Sequence, residues 1–190
     1  MDNNDLKLLE FYKTQYEQEN ERSRYYDKII QYPTTLIVLL IGGSVFAFNR
    51  YFTDGLIKLA GTLDWVFVTL MILFTVSIIF TTTFLFYVFH GFTRKYGALP
   101  FTLTLSEYEK QLFIYNYRYN SESSKDKRFQ FAKKHTCIDF LNSLKEYYIR
   151  LTNDNQIIND KRAIFYYRTR AWLFADLILF LLIAIIGFTK

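Results

Sequence analysis

Residues 161–190 read KRAIFYYRTRAWLFADLILFLLIAIIGFTK. Lys161, Arg162, Arg168 and Arg170 open the stretch, Phe165, Tyr166, Tyr167 and Trp172 form an aromatic band, and an apolar run continues from Ala171 to Phe188. That run makes about 27 Å of helix at about 1.5 Å per residue, close to the hydrocarbon thickness of a bilayer, with rings and cations where an interface holds them. It reads as a membrane-spanning helix. One residue departs from the pattern. Asp176 is the only charge inside any long apolar run of the chain, and a carboxylate at mid-membrane costs about 3 kcal/mol on insertion scales.

The composition agrees with a bilayer as solvent. Of 190 residues 51% are hydrophobic and they fall in long runs, while a mean hydropathy of +0.03 reflects strongly polar segments averaged against them. Cys137 stands alone, so the chain forms no intramolecular disulfide and no cysteine-based metal cage. The start, MDNNDLKLLE, is acidic and polar and does not read as a cleavable signal peptide.

Working outward, the sequence predicts an all-α integral membrane protein with three transmembrane helices and a helical cytoplasmic region. Residues 1–28 form a cytoplasmic amphipathic helix, with Leu6, Leu9, Tyr12, Tyr16 and Tyr26 at helical spacings over 5–31. Residues 29–90 form a transmembrane hairpin with spans at about 29–48 and 65–90; Pro33 kinks the first or starts a new helix there. The linking segment 49–64 is polar and contains Gly55 and Gly61. The second span, about 39 Å of helix, exceeds the hydrocarbon core and must tilt or protrude.

Residues 91–170 make up the helical cytoplasmic region, and 171–188 the third span. Gly97 and Pro100 break the chain, Ser106 with Glu109 forms a capping-box pattern opening a helix to about Tyr119, and 120–126 is a loop. A further helix over 127–152 places Phe131, Ile138, Leu141, Leu144 and Tyr148 on one side. Residues 153–155 read as a turn, with the last helix from about Ile157 to Phe188. Five Lys or Arg precede the first span, two lie in 49–64 and fifteen lie between the second and third spans. The positive-inside bias therefore puts the N-terminus and the large insert in the cytoplasm of a multi-pass protein of the bacterial inner membrane.

Asp176 lies five residues beyond Ala171, about 7–8 Å below the cytoplasmic edge of the core. Thr83, Tyr87 and His90 share one helical face at that depth, and Thr34 and Thr35 lie near it on the first span. The expectation is an intramembrane polar site of Asp176 with His90, Tyr87 and Thr83; the alternative is an interfacial carboxylate that merely draws water. Gly42, Gly43 and Ala47, with Ser44, are expected at a helix-packing face, Gly43 and Ala47 forming a small-xxx-small pair, within one chain or between subunits. Thr75, Ser77, Thr81, Thr82 and Thr83 add hydroxyls for interhelical bonds, and a pore lining, necessarily oligomeric, is the sharper alternative.

His135, Cys137 and Asp139 lie close together, but no second cluster completes a coordination shell, so neither a metal nor any cofactor is expected. The chain carries no Gly-rich phosphate loop, GxSxG or HExxH, and an enzyme is not expected. Tyr115, Tyr117, Arg118 and Tyr119, or residues 125–134, combine rings and cations in a way that suits nucleic acid. A solvated, partner-facing helix is the preferred account, and direct nucleic-acid binding is not expected.

The Tyr- and Glu-rich segment 6–29, LKLLEFYKTQYEQENERSRYYDKI, leads directly into two spans followed by long helices. This layout resembles the small transmembrane effectors of bacterial anti-phage systems, of the CBASS, Pycsar, retron and SLATT types, over most of the chain. The resemblance implies a membrane-disrupting or pore-forming effector of abortive infection, acting as a homo-oligomer in the lipid bilayer. It also implies control by a regulatory protein or nucleoprotein partner at the cytoplasmic helices. The third span and the lack of a recognisable ligand-binding domain depart from that pattern and shift the expectation from nucleotide sensing to a protein partner. A non-enzymatic scaffold or accessory subunit of a membrane complex, or a small transporter subunit, is the alternative.

Overall fold

A computed structural model of the chain describes residues 3–52, 61–90, 96–100, 102–120 and 124–189. Among these residues the regular elements are helices: α1 (Asn3–Ile29), α2 (Gln31–Tyr51), α3 (Thr62–Phe89), α4 (Thr102–Tyr119) and α5 (Lys125–Thr189). Three helical stretches, Leu6–Tyr51, Thr62–Phe89 and Lys125–Phe188, are long and apolar enough to cross a membrane. Expected Gly55 lies outside the described residues.

Pro33 takes the second of the two roles foreseen for it. α2 starts at Gln31, which puts Pro33 in its first turn, where a backbone N–H has no intrahelical partner to lose. The chain still passes from α1 into α2 through helical geometry at Ile30, whose N–H bonds the Tyr26 carbonyl at 3.2 Å.

Two features differ from expectation along the polar half. α4 starts at Thr102, so Ser106 and Glu109 lie inside it and cap nothing. No turn interrupts residues 153–155: α5 is one helix of 65 residues. The polar side chains there have another use, since the Asn155 amide clasps the Gly97 backbone, accepting from its N–H at 2.9 Å and donating to its carbonyl at 3.3 Å.

The chain divides into two compact units, residues 1–22 with 95–158, and residues 23–94 with 159–190. In the first, the early part of α1 lies along α5, with Tyr16 against Tyr148 (5.7 Å between centroids) and Lys145 over the Tyr12 ring (5.8 Å). The Tyr16 hydroxyl donates to the Gly97 carbonyl at 3.3 Å, and the Asn155 amide donates to Asn20 Oδ1 at 3.2 Å. Gly97 allows this close approach because any Cβ there would meet Leu151 Cδ2 at 2.5 Å. α4 folds back on α5 through Asn116, which donates to Thr136 and Asp139, and through Tyr108 against Ser143, yet buries none of its own residues.

The second unit holds the apolar helical stretches. α2 buries Pro33, Ile37, Leu40, Ser44, Ala47 and Tyr51, spacings that alternate four and three. α3 buries Phe67, Phe74, Thr81 and Val88 every seventh residue, and α5 buries Arg162, Thr169, Asp176 and Ile183 in the same rhythm. A repeat of seven keeps one seam facing the neighbouring helices at shallow crossing angles, the geometry of left-handed bundles. Outside the seam the surface is apolar: Val38, Leu39, Phe46, Ile72, Ile79, Phe174 and Ile185 are exposed. An apolar exterior around a seam with polar residues is the arrangement a lipid solvent permits.

Candidate functional site

The seam fixes where small residues sit. A Cβ at Gly43 would fall 2.7 Å from the Phe180 ring, so glycine is what lets Phe180 of α5 lie against α2. Ala47 faces Gly187, where a Cβ would lie 3.4 Å from the Ala47 methyl. At Gly42, by contrast, an added Cβ would meet nothing within 4 Å among the described residues.

Two polar layers interrupt the apolar seam of the second unit. At one end Asp64 is buried and caps α3: it accepts from the Gly61 N–H at 3.0 Å and from the Tyr51 hydroxyl at 2.6 Å. The Tyr51 ring stacks on Phe67 at 4.0 Å. Neither Tyr51 nor Asp64 stood out from the polar segment in the sequence; an aspartate three residues after a glycine, opening an apolar run, is the N-terminal signal that marks them.

Deeper along α5, Asp176 is wholly buried. The Thr81 hydroxyl donates to its Oδ2 at 2.6 Å, and the same hydroxyl lies 3.1 Å from the Ser77 carbonyl. Oδ1 of Asp176 and the hydroxyl of Ser77 are buried and have no hydrogen-bond partner among the described residues.

The partners expected from sequence lie elsewhere. Thr83 is exposed and bonds the Ile79 carbonyl at 2.7 Å in its own helix. Tyr87 stacks on Phe165 at 4.9 Å, and His90 stacks on Phe86 at 5.8 Å; both are exposed. Thr34 and Thr35 likewise bond backward to the Ile30 and Gln31 carbonyls. The reason is rotational. Thr81 and Thr83 are about 200° apart around a helix, so only one can reach Asp176.

A third polar cluster lies at the other end of the unit and escaped sequence reading altogether. Arg162, read there as one of four interfacial cations, is 2% exposed. Its guanidinium pairs with Asp27 at 2.5 Å, donates to the Ser23 carbonyl and hydroxyl at 3.4 and 3.2 Å and to the Val88 carbonyl at 3.1 Å, and lies 5.3 Å from the Tyr26 ring centre. The Val88 carbonyl belongs to the last turn of α3, where a cation meets the negative end of the helix dipole. Nearby, burial pushes the Tyr166 phenol above its ordinary value; Arg170 opposes that shift, and Tyr25 and Tyr26 add to it.

His135 packs on Phe131 at 3.9 Å, Asp139 accepts from Asn116 at 3.1 Å, and Cys137 is exposed. Among the described residues no group of three or more His, Cys, Asp or Glu is placed to hold a metal ion. Between α4 and α5 runs a groove of about 610 Å³ whose lining includes Phe113, Ile114, Lys110, Lys133 and Cys137. Tyr115 and Tyr119 pack on each other at 4.6 Å on the exposed side of α4. No protein-family model matches the chain, and no curated protein or solved structure matches it.

Proposed function

We propose that this chain is a non-enzymatic integral membrane protein of the bacterial inner membrane, with its N-terminus and residues 91–170 in the cytoplasm. In this reading it is a membrane-disrupting or pore-forming effector of an anti-phage system and acts as an oligomer. The observation that carries the reading is the buried Asp176 carboxylate, bonded only through one oxygen, in the seam of an otherwise apolar bundle. A group that costs about 3 kcal/mol at such a depth is a functional candidate by default. Control through the cytoplasmic helices is supported by α4, which leaves Leu103, Ile114, Tyr115 and Tyr119 exposed beside a groove rimmed by Lys110 and Lys133. A regulatory protein or nucleoprotein would bind there.

One observation favours a second reading, a scaffold or accessory subunit. Phe180 closes on Gly43, and Gly187 on Ala47 and Phe67, so the spans of a single chain pack directly against one another and any conduction path needs several copies. Inducible expression of the full chain alone, followed with a potentiometric dye, separates the two. The effector reading expects depolarisation and growth arrest that Asp176→Asn abolishes at equal membrane abundance. A chain that leaves the potential unchanged even when overproduced overturns it and leaves the scaffold.

A further inference from the structure

The oxygen atoms around Asp176 outnumber the hydrogens available to them. Thr81 contributes one hydroxyl proton, which lies within reach of both Asp176 Oδ2 (2.6 Å) and the Ser77 carbonyl (3.1 Å). Ser77 stands one helical turn before Thr81 on the buried face of α3, 3% exposed, and its hydroxyl has no partner. Asp176 Oδ1 has none either, and no ion pair of Asp176 is formed among the described residues. A buried carboxyl group is tolerated either as the neutral acid or, when ionised, with opposite charge and hydrogen bonds beside it.

Three candidates would meet part of that need. A water molecule would bridge Oδ1 and the Ser77 hydroxyl but leave the charge uncompensated. A proton on Oδ1 would remove the charge and could be donated to the Ser77 hydroxyl oxygen, but it engages only that one acceptor. A cation supplies the missing charge and takes several oxygens at once. The donor set is hard oxygen without imidazole or thiolate, which disfavours transition metals, and a single carboxylate among neutral oxygens matches a single positive charge. We propose that Asp176, Thr81 and Ser77 form a binding site for a monovalent alkali cation inside the membrane unit. The site goes beyond the effector reading and stands independently of it, since a scaffold would hold such an ion equally well.

The test uses the purified full-length protein in zwitterionic lipid nanodiscs, melted while the emission of Trp65 and Trp172 is followed. NaCl and KCl are each titrated against choline chloride at constant ionic strength. A cation bound only by the folded state raises the melting midpoint with the logarithm of its concentration. The wild-type midpoint is expected to climb with Na+ or K+ and not with choline. Asp176→Asn is expected to flatten that response, and Ser77→Ala, which removes one neutral ligand, to weaken apparent affinity about tenfold. Equal midpoints in alkali and choline chloride across the titration overturn the site, as does an Asp176→Asn variant that keeps the full response. Should Asp176→Asn fail to fold, an unchanged response in both Ser77→Ala and Thr81→Val overturns it instead. Membrane potential is not read in this experiment, so failure of the effector reading and failure of the cation site are separate results.

Discussion

Thr81 holds Asp176 through a 2.6 Å hydrogen bond in a fully buried layer, so the two residues share one energetic fate. Replacing Thr81 by the nearly isosteric Val removes the donor and leaves both carboxylate oxygens unbonded, which should destabilise the second unit by about 1–3 kcal/mol. Thr83→Val, at an exposed hydroxyl bonded to its own helix, should change stability by less than about 0.5 kcal/mol. Thermal melts in one detergent check the pair, and equal losses would contradict the assignment. The acid itself was legible in the sequence, because it is the one charge inside a long apolar run. Its partner was not, because Thr81, Thr82 and Thr83 are consecutive in a helix that is apolar all round, and amphipathicity cannot say which one turns inward. Thr81 shares a seven-residue register with Phe67, Phe74 and Val88, but Thr83 and His90 are also seven apart, so spacing alone does not choose between the two faces. At the aqueous end, burial raises the Tyr148 phenol above 10.0, with Glu17 and Tyr16 adding to the effect. The folded state therefore holds the neutral phenol more firmly than the unfolded chain does. Its contribution is intact below pH 10.0 and is lost as pH rises through the folded value. Alkaline melts should accordingly fall less steeply for Tyr148→Phe than for the wild type above that pH.

Among the elements, α5 departs most from what its sequence suggests. Asn153, Asp154 and Asn155 together are strong turn chemistry, yet the helix continues through them. Local propensity yields here because the Asn155 side chain bonds three polar groups beside it, the Gly97 N–H and carbonyl and Asn20 Oδ1. Asp154 is exposed, so it tests backbone continuity without disturbing packing. Asp154→Pro should cost about 3 kcal/mol in a continuous helix and close to nothing in a turn. Circular dichroism melts of the variant against Asp154→Ala measure the difference, and a proline variant as stable as the alanine one would restore the turn. The same logic explains Arg162. Four basic residues in ten look like an interfacial collar, and only the seven-residue register with Thr169 and Asp176 shows that Arg162 turns into the seam toward Asp27 and the end of α3.

At the scale of the whole molecule, run length carried the three apolar stretches into view, because about 20 uncharged residues have one common use. The division into two units was hidden, since both draw on α1 and α5 and the boundaries at 22/23 and 158/159 fall inside unbroken helices. Orientation rests on charge: twenty Lys or Arg, the sum of five and fifteen, flank the hairpin on one side, against two in residues 49–64. Cys137 offers a direct probe, because it is the single cysteine and its side chain is exposed. With residues 91–170 in the cytoplasm, a membrane-impermeant maleimide should leave Cys137 unmodified in intact spheroplasts and label it in inverted inner-membrane vesicles. A Cys137→Ser chain carrying Lys58→Cys should show the reverse, labelling in spheroplasts and protection in sealed inverted vesicles. Labelling of Cys137 from the outside of intact spheroplasts would invert the topology, placing Arg162 and its partners on the far side and the α4 groove out of reach of any cytoplasmic regulator.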